Sequence, residues 1–385
     1  MPPPPARASS PLVIALAGMV ALAVPMGVGR FAFTPILPMM QVDAGLSIAA
    51  GAWLASANYL GTLIGALAAT AVRVPIQPAV RGGLVTIGLA TLAMGLERRV
   101  PAWIALRLIA GIATGWVLPF ASAWALERLA PLRRPLLNAA VFAGFGVGIA
   151  AAGGVCIVLM HGRASSAQAW LSLGLVSLAA TAVVWRSFVG RDVRSEASRR
   201  TGTGRCDTDA MLLVACYGSF GFGYIVPATF FPVMARAAID DPSVFGWAWP
   251  VFGVTAAAST FAAAGLSRSL GNRRLWSLGH VVMAVGLVLP VIRPGIGSIM
   301  LSALLVGGTF TVITMAGFQE GREVGGVRMI AAMASAFAVG QIGGPVLVRY
   351  AVRADGGLSE ALVIACAVLV AGAGVLALSR RSPPA

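Results

Sequence analysis

The sequence predicts an all-α membrane protein with twelve transmembrane helices arranged in two pseudo-symmetric six-helix bundles. The first observation behind this prediction is composition. Hydrophobic residues make up 58% of the 385-residue chain and charged residues only 11%, whereas soluble globular proteins carry about 25% charged residues. Because one membrane span takes about 20 apolar residues, a chain of this length has room for about twelve spans joined by short loops.

The second observation is an internal duplication. One copy of the repeated pattern contains Gly27-Val28-Gly29-Arg30 and continues to Leu37-Pro38-Met39. The other contains Gly221-Phe222-Gly223-Tyr224 and continues to Phe231-Pro232-Val233-Met234, 194 residues further on. A half-length repeat in an apolar chain indicates a transporter whose two lobes move about a site between them. The copies differ where Arg30 is replaced by Tyr224.

The apolar runs give the order of the elements. The predicted spans are 12–40, 49–72, 82–96, 102–126, 136–160, 168–185, 210–235, 245–266, 275–292, 296–319, 329–351 and 359–379. Between the sixth and seventh spans lies a polar, Arg-rich stretch with the composition of a solvated linker. We therefore expect a first lobe over residues 1–185, a cytoplasmic linker over 186–209 and a second lobe over 210–385.

The distribution of Arg predicts the orientation in the membrane. All 28 basic residues are Arg. If the N-terminus is cytoplasmic, 19 of them fall in inside segments and 7 in outside segments. Because positive residues accumulate on the cytoplasmic side, both termini and the linker are expected there. The net charge of +15 is then explained by orientation, and we expect no nucleic-acid partner.

Small residues spaced four apart mark several spans. Such pairs let two helix backbones approach closely in lipid. They occur at Gly61 and Gly65, at Gly144 and Gly148, and at Gly340 and Gly344, and span 8 carries the small-residue run 256–259. We predict that these faces form the sliding interface between the lobes. The alternative is that they reflect the general abundance of glycine in this chain.

Two Arg residues, Arg30 and Arg107, lie inside predicted spans and away from the last turn at either end. A charge in the membrane is costly and is expected to face a partner, water or a substrate. No Asp or Glu falls in the core of a predicted span. Because guanidinium groups bind carboxylates and phosphates bidentately, the pair predicts a site for an anion. The alternative is that each Arg caps backbone carbonyls or binds an acid at a helix end, such as Asp43.

Further polar and aromatic residues are candidates for the same cavity. They are Tyr224, Tyr59, Asn58, Trp116 and Gln341. Each of them could instead serve only in packing. We expect no catalytic residue, metal or cofactor, because no cluster of His, Asp, Glu or Cys lies in or near the predicted spans.

Two segments carry a resemblance to a known family. GVGRFAFTPILPMM (27–40) and WLASANYLGTLIGAL (53–67) resemble the major facilitator superfamily, and more narrowly its YbfB/YjiJ-type subgroup. The resemblance implies the major facilitator fold, a location in the bacterial inner membrane and alternating access, with helices 1, 4, 7 and 10 around the cavity. It places Arg30, Arg107 and Tyr224 there, together with Thr309, Thr311 and Thr314.

The chain departs from the superfamily pattern at two places. Residues 73–81 contain no Asp in a loop that usually carries one, and Ala110 stands where Gln is common. The resemblance supplies no substrate.

The residues together predict a monomeric uniporter, symporter or exporter of a small organic solute, anionic in character, surrounded by membrane lipid and with its coupling ion left open. Two alternatives remain at this point. A multidrug-type efflux transporter of lipophilic compounds would need a buried acid to attract cations. A non-transporting membrane sensor or scaffold would have only the linker as a signalling region.

Overall fold

The structure, a computed structural model, describes residues 10–132, 134–188, 208–238, 242–293, 295–351 and 358–379. Side chains are described throughout these ranges except at 48, 228–238, 242–249, 268, 296, 344–351 and 358–359.

Long α-helices run through all of the described ranges. They are α1 (Pro11–Asp43), α2 (Ile48–Ala71), α3 (Ile76–Leu96), α4 (Val100–Leu129), α5 (Pro135–His161), α6 (Ser166–Val184), α7 (Thr208–Ala238), α8 (Pro242–Leu270), α9 (Asn272–Ile292), α10 (296–324), α11 (327–351) and α12 (Leu358–Leu378). Helices α10 and α11 are consecutive parts of Ile296–Ala351, which leaves helical geometry at Gly325 and Gly326. Gly326 has φ +59°, a left-handed conformation that favours glycine.

Eleven helical segments in the described ranges are long and apolar enough to cross a membrane. One of them, Gly297–Gly343, contains the break at Gly325 and Gly326 and is therefore divided between two helices, α10 and α11. The predicted all-α membrane fold is confirmed. The positions of the domain boundaries stay a prediction, because residues 189–207 of the linker lie outside the described residues.

The paired glycines lie at contacts within one lobe, and not at the predicted interface between the lobes. A Cβ atom at Gly61 or Gly65 would overlap the backbone of α4, and one at Gly144 or Gly148 would overlap the backbone of α1. At Gly340 it would overlap the backbone of α7. We call helices α1–α6 the N-lobe and helices α7–α12 the C-lobe. Each of these five glycines thus lies where two helices of the same lobe pack together. The prediction of a lobe interface at these five glycines is corrected, and for Gly344 only the helical backbone is described.

Contact between the lobes uses other small residues. Gly146 of α5 lies against the backbone of Gly253 and against Ala257 on α8, and Gly153 lies against the ring of Pro250. Ala257 belongs to the small-residue run that the sequence analysis singled out. Aromatic pairs extend the contact from α5 to α10: Phe142 with Phe318 at 6.2 Å and Phe145 with Phe310 at 6.4 Å between ring centroids.

We expect Gly65→Leu to lower the thermal stability of the purified protein. The new side chain would collide with the backbone carbonyl of Ile112 and the amide of Trp116, which cannot move as a side-chain end can. Overpacking of this kind costs about 1–3 kcal/mol. Melting in detergent measures the effect. Gly154→Leu is the matched control, because a Cβ at Gly154 meets nothing within 4 Å. Equal melting temperatures for the two variants would contradict the tight α2–α4 contact.

Candidate functional site

Arg30 lies in a π-helical stretch of α1, Val24–Phe31, and is only 5% exposed. In a π-helix the carbonyl of residue i accepts from the amide of residue i+5. The residue five positions after Arg30 is Pro35, which has no amide hydrogen. Pro35 therefore removes one backbone donor just past the π-helical stretch, where the carbonyls of Gly29 and Arg30 accept hydrogen bonds from side chains.

Arg107 of α4 and Asn58 of α2 supply donors to this stretch. Arg107 donates from Nη1 to the Gly29 carbonyl at 3.1 Å and from Nη2 to the Arg30 carbonyl at 3.3 Å. Asn58 donates from Nδ2 to the carbonyls of Gly29 and Arg107, both at 3.1 Å. Of the two roles weighed for Arg107, these contacts favour carbonyl capping. Asp43, the acid considered as its partner, instead accepts from the amide and hydroxyl of Ser166.

We expect Arg107→Gln to destabilise the apo protein more than Arg30→Gln does. Removing the Arg107 guanidinium leaves the Arg30 carbonyl without its side-chain donor, at a cost of about 1–3 kcal/mol, whereas the Gly29 carbonyl keeps its bond from Asn58. Both substitutions relieve the burial of a charge, since Arg30 is 5% and Arg107 3% exposed, but Arg30→Gln takes no donor away from the backbone of α1. Melting temperatures of the two variants without ligand test this order. A lower melting temperature for Arg30→Gln would contradict the assignment of roles.

The guanidinium group of Arg30 reaches the opposite lobe. Its Nη2 donates to Oε1 of Gln341 on α11. Its Cζ lies 5.2 Å from the ring centroid of Tyr59, 5.5 Å from that of Phe31 and 5.9 Å from that of Phe337, distances at which an aromatic ring attracts a cation. Of the polar residues predicted for the site, Tyr59 and Gln341 are thus brought together with Arg30.

Five buried polar atoms around Arg30 and Arg107 have no hydrogen-bond partner among the described residues. They are Nε of Arg30, Nε of Arg107, Oδ1 of Asn58, Nε2 of Gln341 and the hydroxyl of Tyr224. Buried polar groups are normally paired, and each exception calls for an explanation. The side chains are poised to make further hydrogen bonds in this region.

Tyr224 sits in a group of five rings, Tyr217, Phe220, Tyr224, Phe310 and Phe337, which we call the aromatic cluster. The closest ring pairs are Tyr224 with Phe310 at 4.5 Å and Phe220 with Phe337 at 4.9 Å between centroids. Phe337 also faces the Arg30 guanidinium, so the cluster adjoins the cation. Sequence reasoning missed Tyr217 and the three Phe residues, because a single aromatic residue carries no distinguishing signal in so apolar a chain.

A family profile described as "Uncharacterised MFS-type transporter YbfB" matches residues 22–377. The match spans both lobes and includes Arg30, Tyr224 and Gln341. The chain belongs to this family of MFS-type transporters. It is therefore a multi-pass membrane protein of a transport family. No curated protein matches the chain.

Two of the predicted cavity residues of this MFS-type transporter lie away from Arg30. The hydroxyl of Thr311 donates to the Ala256 carbonyl at 2.6 Å and accepts from Thr260 at 2.8 Å, so it packs α10 against α8. Trp116 lines a groove of about 490 Å³ between α3 and α4, within the N-lobe. Both are placed in packing between helices of one lobe. The hydroxyls of Thr309 and Thr314 donate to carbonyls of their own helix.

The MFS-type transporter also has a buried acid that sequence reasoning assigned to a helix end. Glu320 of α10 is 2% exposed and pairs with Nε of Arg273 at 3.0 Å. Arg273 also donates from Nη1 to Asp209 at 2.8 Å. This network joins α10 to the first turns of α7 and α9. In the described part of the chain, the contacts of the Arg30 guanidinium are the rings of Tyr59, Phe31 and Phe337 and the amide of Gln341, and no carboxylate pairs with it.

Proposed function

We propose that this MFS-type transporter moves a small organic anion across the bacterial inner membrane by alternating access, and that Arg30 binds the anion. One observation carries the proposal. The Arg30 guanidinium is buried where the two lobes meet, and its side-chain partner from the opposite lobe is the neutral amide of Gln341. Membership of a transport family supports the general class of activity.

The energetics of a buried cation favour an anionic ligand. A buried charge is expensive unless it is paired and hydrogen-bonded. At Arg30 the described surroundings supply aromatic rings and one amide oxygen. A guanidinium presents a planar fork that matches a carboxylate bidentately. The unpartnered Nε together with one Nη nitrogen forms such a fork.

The Arg30–Gln341 hydrogen bond suggests how binding is coupled to movement. Arg30 belongs to α1 of the N-lobe and Gln341 to α11 of the C-lobe. The amide oxygen of Gln341 accepts a hydrogen bond from Nη2 of Arg30, the same donor that a carboxylate oxygen of the ligand would use. An anion that binds Arg30 therefore competes with Gln341 and weakens this link between the lobes. Tyr224, at the equivalent position of the second repeat, offers a hydroxyl on the C-lobe side.

The proposal includes the organisation predicted from the sequence. Both termini and the linker 186–209 lie in the cytoplasm, in keeping with the bias of 19 Arg inside against 7 outside. The lobes comprise residues 1–185 and 210–385, and the transporter works as a monomer.

A thermal-shift screen of the purified wild-type protein tests the proposed substrate charge. The panel contains small carboxylates, inorganic phosphate, amino acids and the lipophilic cation tetraphenylphosphonium. A ligand at 100 times its Kd stabilises the folded state by about 2.7 kcal/mol, which a melting curve resolves. We expect stabilisation by anions. Stabilisation by tetraphenylphosphonium and by no anion would contradict the proposal and favour an exporter of lipophilic cations.

A further inference from the structure

We infer that the transported anion is a monocarboxylate with an apolar, ring-containing body. The inference rests on the proposed function and narrows it to a substrate class. It follows from the number of guanidinium groups available to a ligand, from the absence of a nearby acid in the described residues, and from the aromatic side chains packed around Arg30.

The site offers one guanidinium to a ligand. Both Nη nitrogens of Arg107 already donate to backbone carbonyls of α1, and only its Nε lacks a partner, so a carboxylate at Arg107 would have to share or displace the bonds that hold α1. Arg30 retains an unpartnered Nε and exchanges Gln341 for a ligand at Nη2. One fork binds one carboxylate. A dicarboxylate would leave its second charge among aromatic rings, where an unpaired charge is unfavourable.

The site also disfavours zwitterions. An amino acid would bring an ammonium group that needs a carboxylate or several carbonyl oxygens. Around Arg30 the described residues supply Tyr59, Gln341 and Phe337, and the buried acid Glu320 is already paired with Arg273. An α-amino group would be desolvated at this site without a counter-ion, at a cost in free energy.

The aromatic side chains next to Arg30 favour a ring as the body of the substrate. Phe337 faces the guanidinium at 5.9 Å and lies 6.3 Å from both Tyr224 and Phe310. A ligand whose carboxylate binds Arg30 on the C-lobe side therefore lays its remaining atoms against the aromatic cluster. Aromatic pairs prefer offset or edge-to-face contacts at such separations. The unpartnered Tyr224 hydroxyl adds one polar contact beside an otherwise apolar wall.

Calorimetric titration with matched probes tests the inference. Benzoate has one carboxylate and a ring, acetate lacks the ring, phthalate adds a second carboxylate, phenylphosphonate at pH 8 carries a second negative charge on its headgroup, and phenylalanine adds an ammonium group. We expect benzoate to bind about tenfold or more tightly than each of the other four, the ratio that a lost aromatic contact or an unpaired buried charge produces.

Phe337→Ala locates the ring contact. It is expected to weaken benzoate about tenfold while leaving acetate unchanged. Phe337→Leu removes the ring but keeps a bulky apolar side chain. It replaces the Ala variant in both titrations if that variant does not fold. The matched control is Phe261→Ala, because Phe261 is 44% exposed on α8 and should leave both affinities unchanged.

The outcomes separate this inference from the proposed function. If phthalate or phenylphosphonate binds more tightly than benzoate, and Arg30→Gln removes that binding, the monocarboxylate class is wrong and the anion transporter stands. If acetate and benzoate lose affinity equally in Phe337→Ala, the ring does not contact the aromatic cluster and the inference fails. If no anion binds, or if Arg30→Gln binds benzoate like the wild type, both are overturned.

Discussion

Arg30→Gln is expected to abolish uptake of the anion while the protein still folds and inserts. The substituted side chain is two bonds shorter than Arg and gives up the hydrogen bond to Gln341, but it leaves no buried charge without a partner. The carboxylate of the substrate, however, would lose its charged partner in a buried site. Losing one partner of a buried, hydrogen-bonded charge pair costs about 2–5 kcal/mol, which is about 30-fold or more in affinity.

Uptake of radiolabelled benzoate into proteoliposomes measures this prediction. Arg30→Lys is the informative control, because it keeps the positive charge and removes the planar fork. It should retain part of the uptake, whereas Arg30→Gln should fall to the level of empty liposomes. The melting temperature of each apo variant confirms that the protein is folded. Normal uptake by Arg30→Gln would show that Arg30 is not the anion-binding group.

Gln341→Glu is expected to arrest transport with the lobes held together. It replaces the amide oxygen that accepts from Arg30 with a carboxylate, in effect supplying the anion from the protein itself. A buried ion pair often gains little, because both charges must be desolvated. Here the Arg30 guanidinium is already buried at 5% exposure, so only the new carboxylate bears that cost. Close charge pairs in such settings couple by about 1.5–7 kcal/mol.

Two readouts distinguish this arrest from simple damage. The melting temperature of Gln341→Glu should be higher than that of the wild type without ligand, and benzoate should raise it no further. Benzoate uptake should fall about tenfold or more, in line with the coupling between close charges. Gln341→Met is the neutral control of similar size and should still be stabilised by benzoate. Wild-type uptake by Gln341→Glu would mean that Arg30 and Gln341 do not need to separate during transport.

The sequence located the charged centre of the site through the broken repeat. Arg30 and Tyr224 occupy equivalent positions of a duplicated pattern, and a charge inside an apolar span is conspicuous. The same contrast identified Tyr59 and Gln341 as polar residues within spans. In the structure, the ring of Tyr59 and the amide of Gln341 both contact the Arg30 guanidinium. Such signals survive in a single sequence because polar residues are rare within a membrane.

The direction in which each helix face points could not be predicted. Gly144 and Gly146 lie two residues apart, which is about 200° around a helix of 3.6 residues per turn. Gly144 therefore meets α1 of its own lobe and Gly146 meets α8 of the other. Small residues indicate a close approach and do not say which helix approaches. Helices that are apolar all round carry no amphipathic signal that would settle the rotation.

The role of Arg107 was open for a related reason. Its partners are the backbone carbonyls of Gly29 and Arg30, and a backbone partner leaves no trace in residue identity. The π-helical stretch Val24–Phe31 that exposes these carbonyls also depends on contacts with α2 and α4. Proline indicates that a hydrogen bond is missing, but only the folded chain shows which side chain replaces it.

Equilibrium binding of benzoate to wild-type protein and to Arg30→Gln, measured side by side by calorimetry, tests the central claim most directly. The claim is that the Arg30 guanidinium binds the anion where the two lobes meet. We expect saturable binding to the wild type and a loss of about 30-fold or more in affinity in the variant. Equal affinities for the two proteins would contradict the claim and leave Arg30 as a structural link to Gln341.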